Sequence, residues 1–117
     1  LEFAWRPFKW GFTPEPGFGG EALTPEEKAA LGLAREAFAF RVKYLVTWGE
    51  NARYGEAVKK AGLREGDVFL ALDGRRDFAS VEHFQAWWRL ELMPGASVTL
   101  ELLRAGERRS LTLEILP

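Results

Sequence analysis

The chain has no cysteine, a single histidine (His83) and a single methionine, and its only side-chain amides are Asn51 and Gln85. Without cysteine there is no disulfide, no thiol nucleophile and no thiolate metal site. One histidine without cysteine does not make a zinc site, and no calcium-loop pattern occurs, so neither metal nor cofactor is expected. No apolar run approaches the ~20 residues that span a bilayer, so no membrane insertion is expected. Neither sign of charge dominates: 16 Lys and Arg stand against 17 Asp and Glu, for a net charge of −1. That balance argues against a nucleic-acid partner, which usually meets a basic excess. The pairs Arg75-Arg76 and Arg108-Arg109 read as solvated turn charges. Scarce amides among many charges suggest a thermophilic, thermostable protein, although a GC-rich genome leaves a similar mark.

What is present is a core. With 117 residues, 47% of them hydrophobic, the chain suffices for one domain. It begins at Leu1 without an initiator Met or a signal peptide, and is read as an excised domain or processed product of a larger protein. Residues 1–23 differ from the rest. Phe3, Trp5, Phe8, Trp10, Phe12 and Phe18 lie among Pro7, Pro14, Pro16 and several glycines. That density of breakers forbids a long helix, yet the rings are too many for a free linker. The expectation is an aromatic arm, packed on its own domain or against a partner, with the folded domain at 24–117.

Thr24-Pro25-Glu26-Glu27 is a helix start: Thr24 caps, Pro25 suits the first helical position, and Glu27 completes a capping box. Gly32 ends that helix, unless Ala34 to Ala37 continue it. Residues 38–46 alternate, with Phe38, Phe40, Val42, Tyr44 and Val46 on one face, and predict a half-buried strand. A loop over 49–55 and a short helical turn over 56–61 come next. Residues 61–74, AGLREGDVFLALDG, place a buried strand (67–72) between two tight turns. Ser80 caps a second helix whose apolar stripe is Val81, Phe84, Trp87, Trp88 and Leu92, ended by Pro94-Gly95. Strands over 97–103 and 108–116, joined by a turn at 104–107, close the chain.

The order of these elements, with the 61–74 segment, Pro94-Gly95 before Val98, and Leu103-Arg104-Ala105-Gly106-Glu107, resembles a bacterial, HtrA-type PDZ domain. The likeness covers roughly residues 31–117. It implies an α+β fold, a partly open β-barrel of five or six strands capped by two helices. It also implies a non-catalytic module that takes an apolar C-terminus or extended peptide by addition to a sheet edge. By the same resemblance, Leu31-Gly32-Leu33 matches the loop that holds the peptide carboxylate. Ala34 beyond it, and Val81, Phe84 and Trp88 of the second helix, complete the expected binding site. Other domains of the parent protein are further expected partners, and family habit points to an extracytoplasmic, periplasmic or secreted location. Two alternatives stay open: a structural or docking domain with an occluded groove, or the regulatory domain of an HtrA-like protease.

Other chemistry finds little support. His83 and Ser80 are three residues apart, but Ser80 is better used as a helix cap than as a nucleophile. Asp67 and Asp73 flank one strand at turns, where Asp accepts local backbone N–H groups. Pro16-Gly17-Phe18-Gly19-Gly20 lacks the Lys-Ser/Thr of a phosphate loop and has no strand before it.

Overall fold

Two side chains start the first helix together. The Thr24 hydroxyl accepts from the Glu27 amide at 3.1 Å, and the Glu27 carboxylate accepts from the Thr24 amide at 2.9 Å. This capping box opens α1 (Pro25–Ala30), and Gly32, at φ +74°, turns the chain away after it. Residues 34–37 form a turn and do not extend the helix, because the Leu33 amide folds back on the Lys28 carbonyl. The computed structural model describes residues 14–116. Phe3, Trp5, Phe8, Trp10 and Phe12 lie outside the described residues.

Five strands form one antiparallel open sheet in sequential order: β1 (Phe18–Ala22), β2 (Phe40–Leu45), β3 (Val68–Leu72), β4 (Ser97–Arg104) and β5 (Glu107–Glu114). Besides α1 there are α2 (Ala52–Ala61), entered through a 3₁₀ turn at Gly49–Asn51, and α3 (Val81–Glu91). The expected class holds, with three helices where the sequence suggested two.

The first strand was not foreseen. Residues 18–22 of the aromatic arm pair with β2 as an edge strand. Phe18 is 1% exposed and sits at the centre of a ring cluster with Phe40, Phe69, Phe84 and Trp88, at centroid distances of 5.8–6.1 Å. Its ring therefore packs on its own domain.

The alternation expected over 38–46 breaks inside β2. Gly19 pairs with Tyr44 but Gly20 pairs with Val42, so Lys43 is an extra residue on β2. Such a bulge reverses the facing of the residues beyond it. Phe40 and Val42 are buried, but Tyr44 turns outward and Leu45 inward. A second irregularity, at Leu70 in β3, lets Leu70 and Ala71 face the same way.

These two bulges divide the apolar side chains into two clusters. The larger holds Phe18, Phe40, Phe69, Phe84, Trp88 and Leu100 beneath α2 and α3. The smaller holds Leu23, Ala39, Val68, Leu70, Ala71 and Leu103, with Leu31 and Leu33 against it at the end of α1.

The α2 helix starts four residues earlier than the sequence suggested. Gly55 reads as a loop residue, yet it lies inside the helix between buried Tyr54 and Val58. A Cβ at Gly55 would fall on the Val46 backbone, so glycine is what lets the helix approach the end of β2. The β4–β5 hairpin turns on Ala105 and Gly106, both at positive φ, as a two-residue connection requires.

Candidate functional site

An open sheet has two edges, and here they differ in chemistry. The β5 edge carries Glu107, Arg108 and Arg109, charges of the kind that discourage pairing with another strand. The β1 edge reads Phe18-Gly19-Gly20-Glu21-Ala22 and lies beside α3. Each glycine before and within it has a steric cause. Gly17, at φ +76°, passes over the Tyr54–Gly55 backbone, where a Cβ would come within 2.5 Å. Gly20 lies against the Arg41 carbonyl. Gly19 lies under the Tyr44 hydroxyl, with the Gln85 amide 2.7 Å from where its Cβ would be. The result is a strand edge poor in side chains, buried at Gly17 to Gly19 with Tyr44 and Gln85 over Gly19, half-buried at Gly20 and exposed at Glu21 and Ala22.

Two half-buried residues of α3, four apart and so on one helix face, form the opposite wall. The Gln85 side-chain amide donates to the Phe18 carbonyl at 3.2 Å and lies 3.4 Å from the Tyr44 hydroxyl. The Arg89 guanidinium reaches the Glu15 carboxylate at 2.7 Å. Between wall and edge lies a small cavity of about 70 Å³, lined among others by Glu15, Gly17, Phe18, Tyr44, Gln85 and Arg89.

The expected site residues are not all brought together. Val81, Phe84 and Trp88 are buried in the larger cluster and support the groove from beneath, with Phe18 packed on Phe84 and Trp88. Leu31 and Leu33 belong with the smaller cluster, and Gly32 and Ala34 are exposed at the end of α1. The structure therefore does not join Leu31-Gly32-Leu33 to α3 in one pocket. Leu33 instead lines a separate open cleft of about 520 Å³ with Ala37, Phe38 and Leu70. That cleft is larger, but what it takes from a sheet edge is Arg108 of the charged β5 edge, and two of its other arginines are paired, Arg75 with Asp77 and Arg76 with Glu101.

Gly17, Gly19, Tyr44, Gln85 and Arg89 were missed by sequence reasoning. The available signals were the glycine run just before a capped helix and two polar residues four apart beside the apolar stripe of α3.

His83 and Ser80 are both committed to opening α3. The His83 Nδ1 accepts from the Ala79 amide at 2.8 Å, and the Ser80 hydroxyl accepts from the His83 amide at 3.0 Å. Asp67 and Asp73 hold turns, accepting from the Arg64 and Thr99 amides respectively. Among the described residues, no group of three His, Asp or Glu is placed to hold a metal ion. No helix among them is long and apolar enough to cross a membrane.

No family model matches the chain, and no curated protein matches it. Solved structures do. A variant of the HtrA-type protease AlgW with a decapeptide aligns over 99% of this chain at 27% identity and a TM-score of 0.72. AlgW with a decapeptide aligns over 89% at 28% identity and a TM-score of 0.62. An AlgW variant with a tripeptide aligns over 99% at 27% identity and a TM-score of 0.65. The chain spans 33%, 29% and 36% of those chains, about a third of each. The fold is therefore PDZ-like, of the kind that accompanies HtrA-type proteases.

Proposed function

We propose that this domain is a non-catalytic module that takes up an extended peptide ending in an apolar residue, added as a strand to the edge of β1. The observation that carries the reading is the glycine-rich edge from Gly17 to Gly20, which shares a small cavity with Gln85 and Arg89 of α3. Strand addition uses main-chain hydrogen bonds for affinity and side-chain pockets for selectivity. Phe18, backed by Val81, Phe84 and Trp88, is the apolar floor; Gln85 and Arg89 are the wall. Leu31 and Leu33 pack against the smaller cluster, and Gly32 and Ala34 are exposed beside them, so these four are not assigned to the groove. The AlgW structures that the chain resembles hold a decapeptide or a tripeptide, which supports a peptide as ligand. Since the chain matches a third of those chains, we read it as the regulatory, non-catalytic part of a larger HtrA-like protein working outside the cytoplasm.

A second reading has its own observation. Gln85 already occupies the Phe18 carbonyl, and the Glu15–Arg89 pair spans the groove. On that reading the domain is a docking part with a closed groove. Titrating the ¹⁵N-labelled domain with a decapeptide ending in three valines separates the two. Saturable shifts of the Gly19 and Gly20 amides are expected from strand addition; unmoved Gly19 and Gly20 signals would leave the closed-groove reading.

A further inference from the structure

The ion pair at the mouth of the groove is a carboxylate already in place. Glu15 precedes Pro16 and Gly17, both buried, so its backbone is anchored. Its side chain crosses from the β1 side to Arg89 of α3 at 2.7 Å. Both residues line the same small cavity as Gly17, Phe18 and Gln85. Direction matters here. A peptide added antiparallel to β1 runs opposite to Phe18→Ala22, so its C-terminus arrives at the Phe18 end, beside Glu15 and Arg89. A free C-terminus and the Glu15 side chain present the same chemical group to the same guanidinium, which binds carboxylates well through its planar set of donors.

We propose that Arg89 receives the C-terminal carboxylate of the bound peptide, and that Glu15 holds that position in the free domain as an internal competitor. The inference rests on the strand-addition reading above. It gives the closed groove a purpose: ligand entry exchanges one carboxylate for another on Arg89, so a peptide lacking a free C-terminus has nothing with which to displace Glu15. The pair is partly solvated, with side chains 42% and 28% exposed, so the competition is a modest one.

The test measures binding of an N-terminally fluorescein-labelled decapeptide ending in three valines, as free acid and as C-terminal amide, by fluorescence anisotropy. The proteins are the unaltered domain and its Glu15→Gln, Arg89→Gln and Glu114→Gln variants, the last removing an exposed charge from β5 at the opposite edge of the sheet. Glu15→Gln is expected to bind the free acid about 2- to 5-fold more tightly. Glu114→Gln should leave that affinity unchanged. Arg89→Gln is expected to bring the ratio of acid to amide affinity close to one. An unchanged or weaker affinity for the acid in Glu15→Gln, an equal gain in Glu114→Gln, or an undiminished ratio in Arg89→Gln overturns the proposal. If Gly19 and Gly20 still respond to the peptide in those cases, only the carboxylate exchange is lost. If no variant shows that response, the strand-addition reading falls with it.

Discussion

One guanidinium holds both carboxylate oxygens of Asp67: Arg104 reaches Oδ1 at 2.8 Å and Oδ2 at 2.7 Å, and donates a further bond to the Gly62 carbonyl at 2.6 Å. Asp67 is the one buried charged residue of the described core, 2% exposed. The contact joins the turn before β3 to the end of β4, across 37 residues of sequence. It also keeps the Arg104 guanidinium firmly charged, chiefly through its hydrogen bond to Asp67.

Breaking this pair from the arginine side leaves a buried carboxylate without its partner, which costs more than the pair is worth. Arg104→Leu is expected to lower unfolding stability by about 3 kcal/mol in urea denaturation. Adding Asp67→Asn should recover part of that loss, because it removes the stranded charge.

The capping box carries a pH dependence. The backbone hydrogen bond at Thr24 is the main reason the Glu27 carboxyl sits below its usual value. The charged form is favoured in the folded state, so the contribution is complete above the unfolded glutamate value. It is lost as the pH falls through the lower, folded value. Glu27→Gln should show a flatter fall in stability on the acid side, and a carboxyl NMR titration of Glu27 should give a midpoint below that of an unstructured glutamate.

Gly55→Ala sets two effects against each other. Alanine is favoured inside a helix by up to about 1 kcal/mol over glycine. Its methyl group, however, would fall on the Val46 backbone, which cannot move without displacing the end of β2. Overpacking of that kind costs roughly 1–3 kcal/mol. A lowered melting temperature is expected, and a raised one would mean that α2 can retreat from β2 freely.

Gly19 and Gly20 should respond differently to the same change. A Cβ at Gly19 meets the ends of two side chains, Tyr44 and Gln85, which can swing aside. A Cβ at Gly20 meets the Arg41 main chain. Gly19→Ala is expected to keep the fold while weakening peptide uptake at least tenfold, because the methyl group and displaced side chains narrow the groove. Gly20→Ala is expected to destabilise β1 itself, seen as a fall of several degrees in the melting temperature. Circular dichroism melts beside the peptide titration check both.

The elements that could be read from sequence are those whose cause is local. Thr24 with Glu27, Ser80 before α3, and the Ala105-Gly106 hairpin turn are held by contacts within three or four residues. The periodic stripe of α3 was legible for the same reason: Val81, Phe84 and Trp88 are buried, as spacings of three and four require. Strand β1 was not legible, since Phe-Gly-Gly carries no alternation and its two glycines are disfavoured in strands. It is a strand because β2, about twenty residues later, pairs with it. Nor did the alternation of β2 announce the extra residue Lys43 that sends Tyr44 out and Leu45 in.

The candidate site divides along the same line. Two glycine-bearing stretches flank α1, Pro16-Gly17-Phe18 before it and Leu31-Gly32-Leu33 after it, and local physics permits a tight turn at either. By itself the sequence determined the two helix caps, the buried β3 strand and its turns, and a PDZ-like order of elements. Only the tertiary structure decided which glycine turn lies beside α3, which sheet edge carries the glycines, and that Glu15 meets Arg89. Those facts depend on residues up to 74 positions apart in the chain, brought together by sheet pairing and by the burial of Phe18.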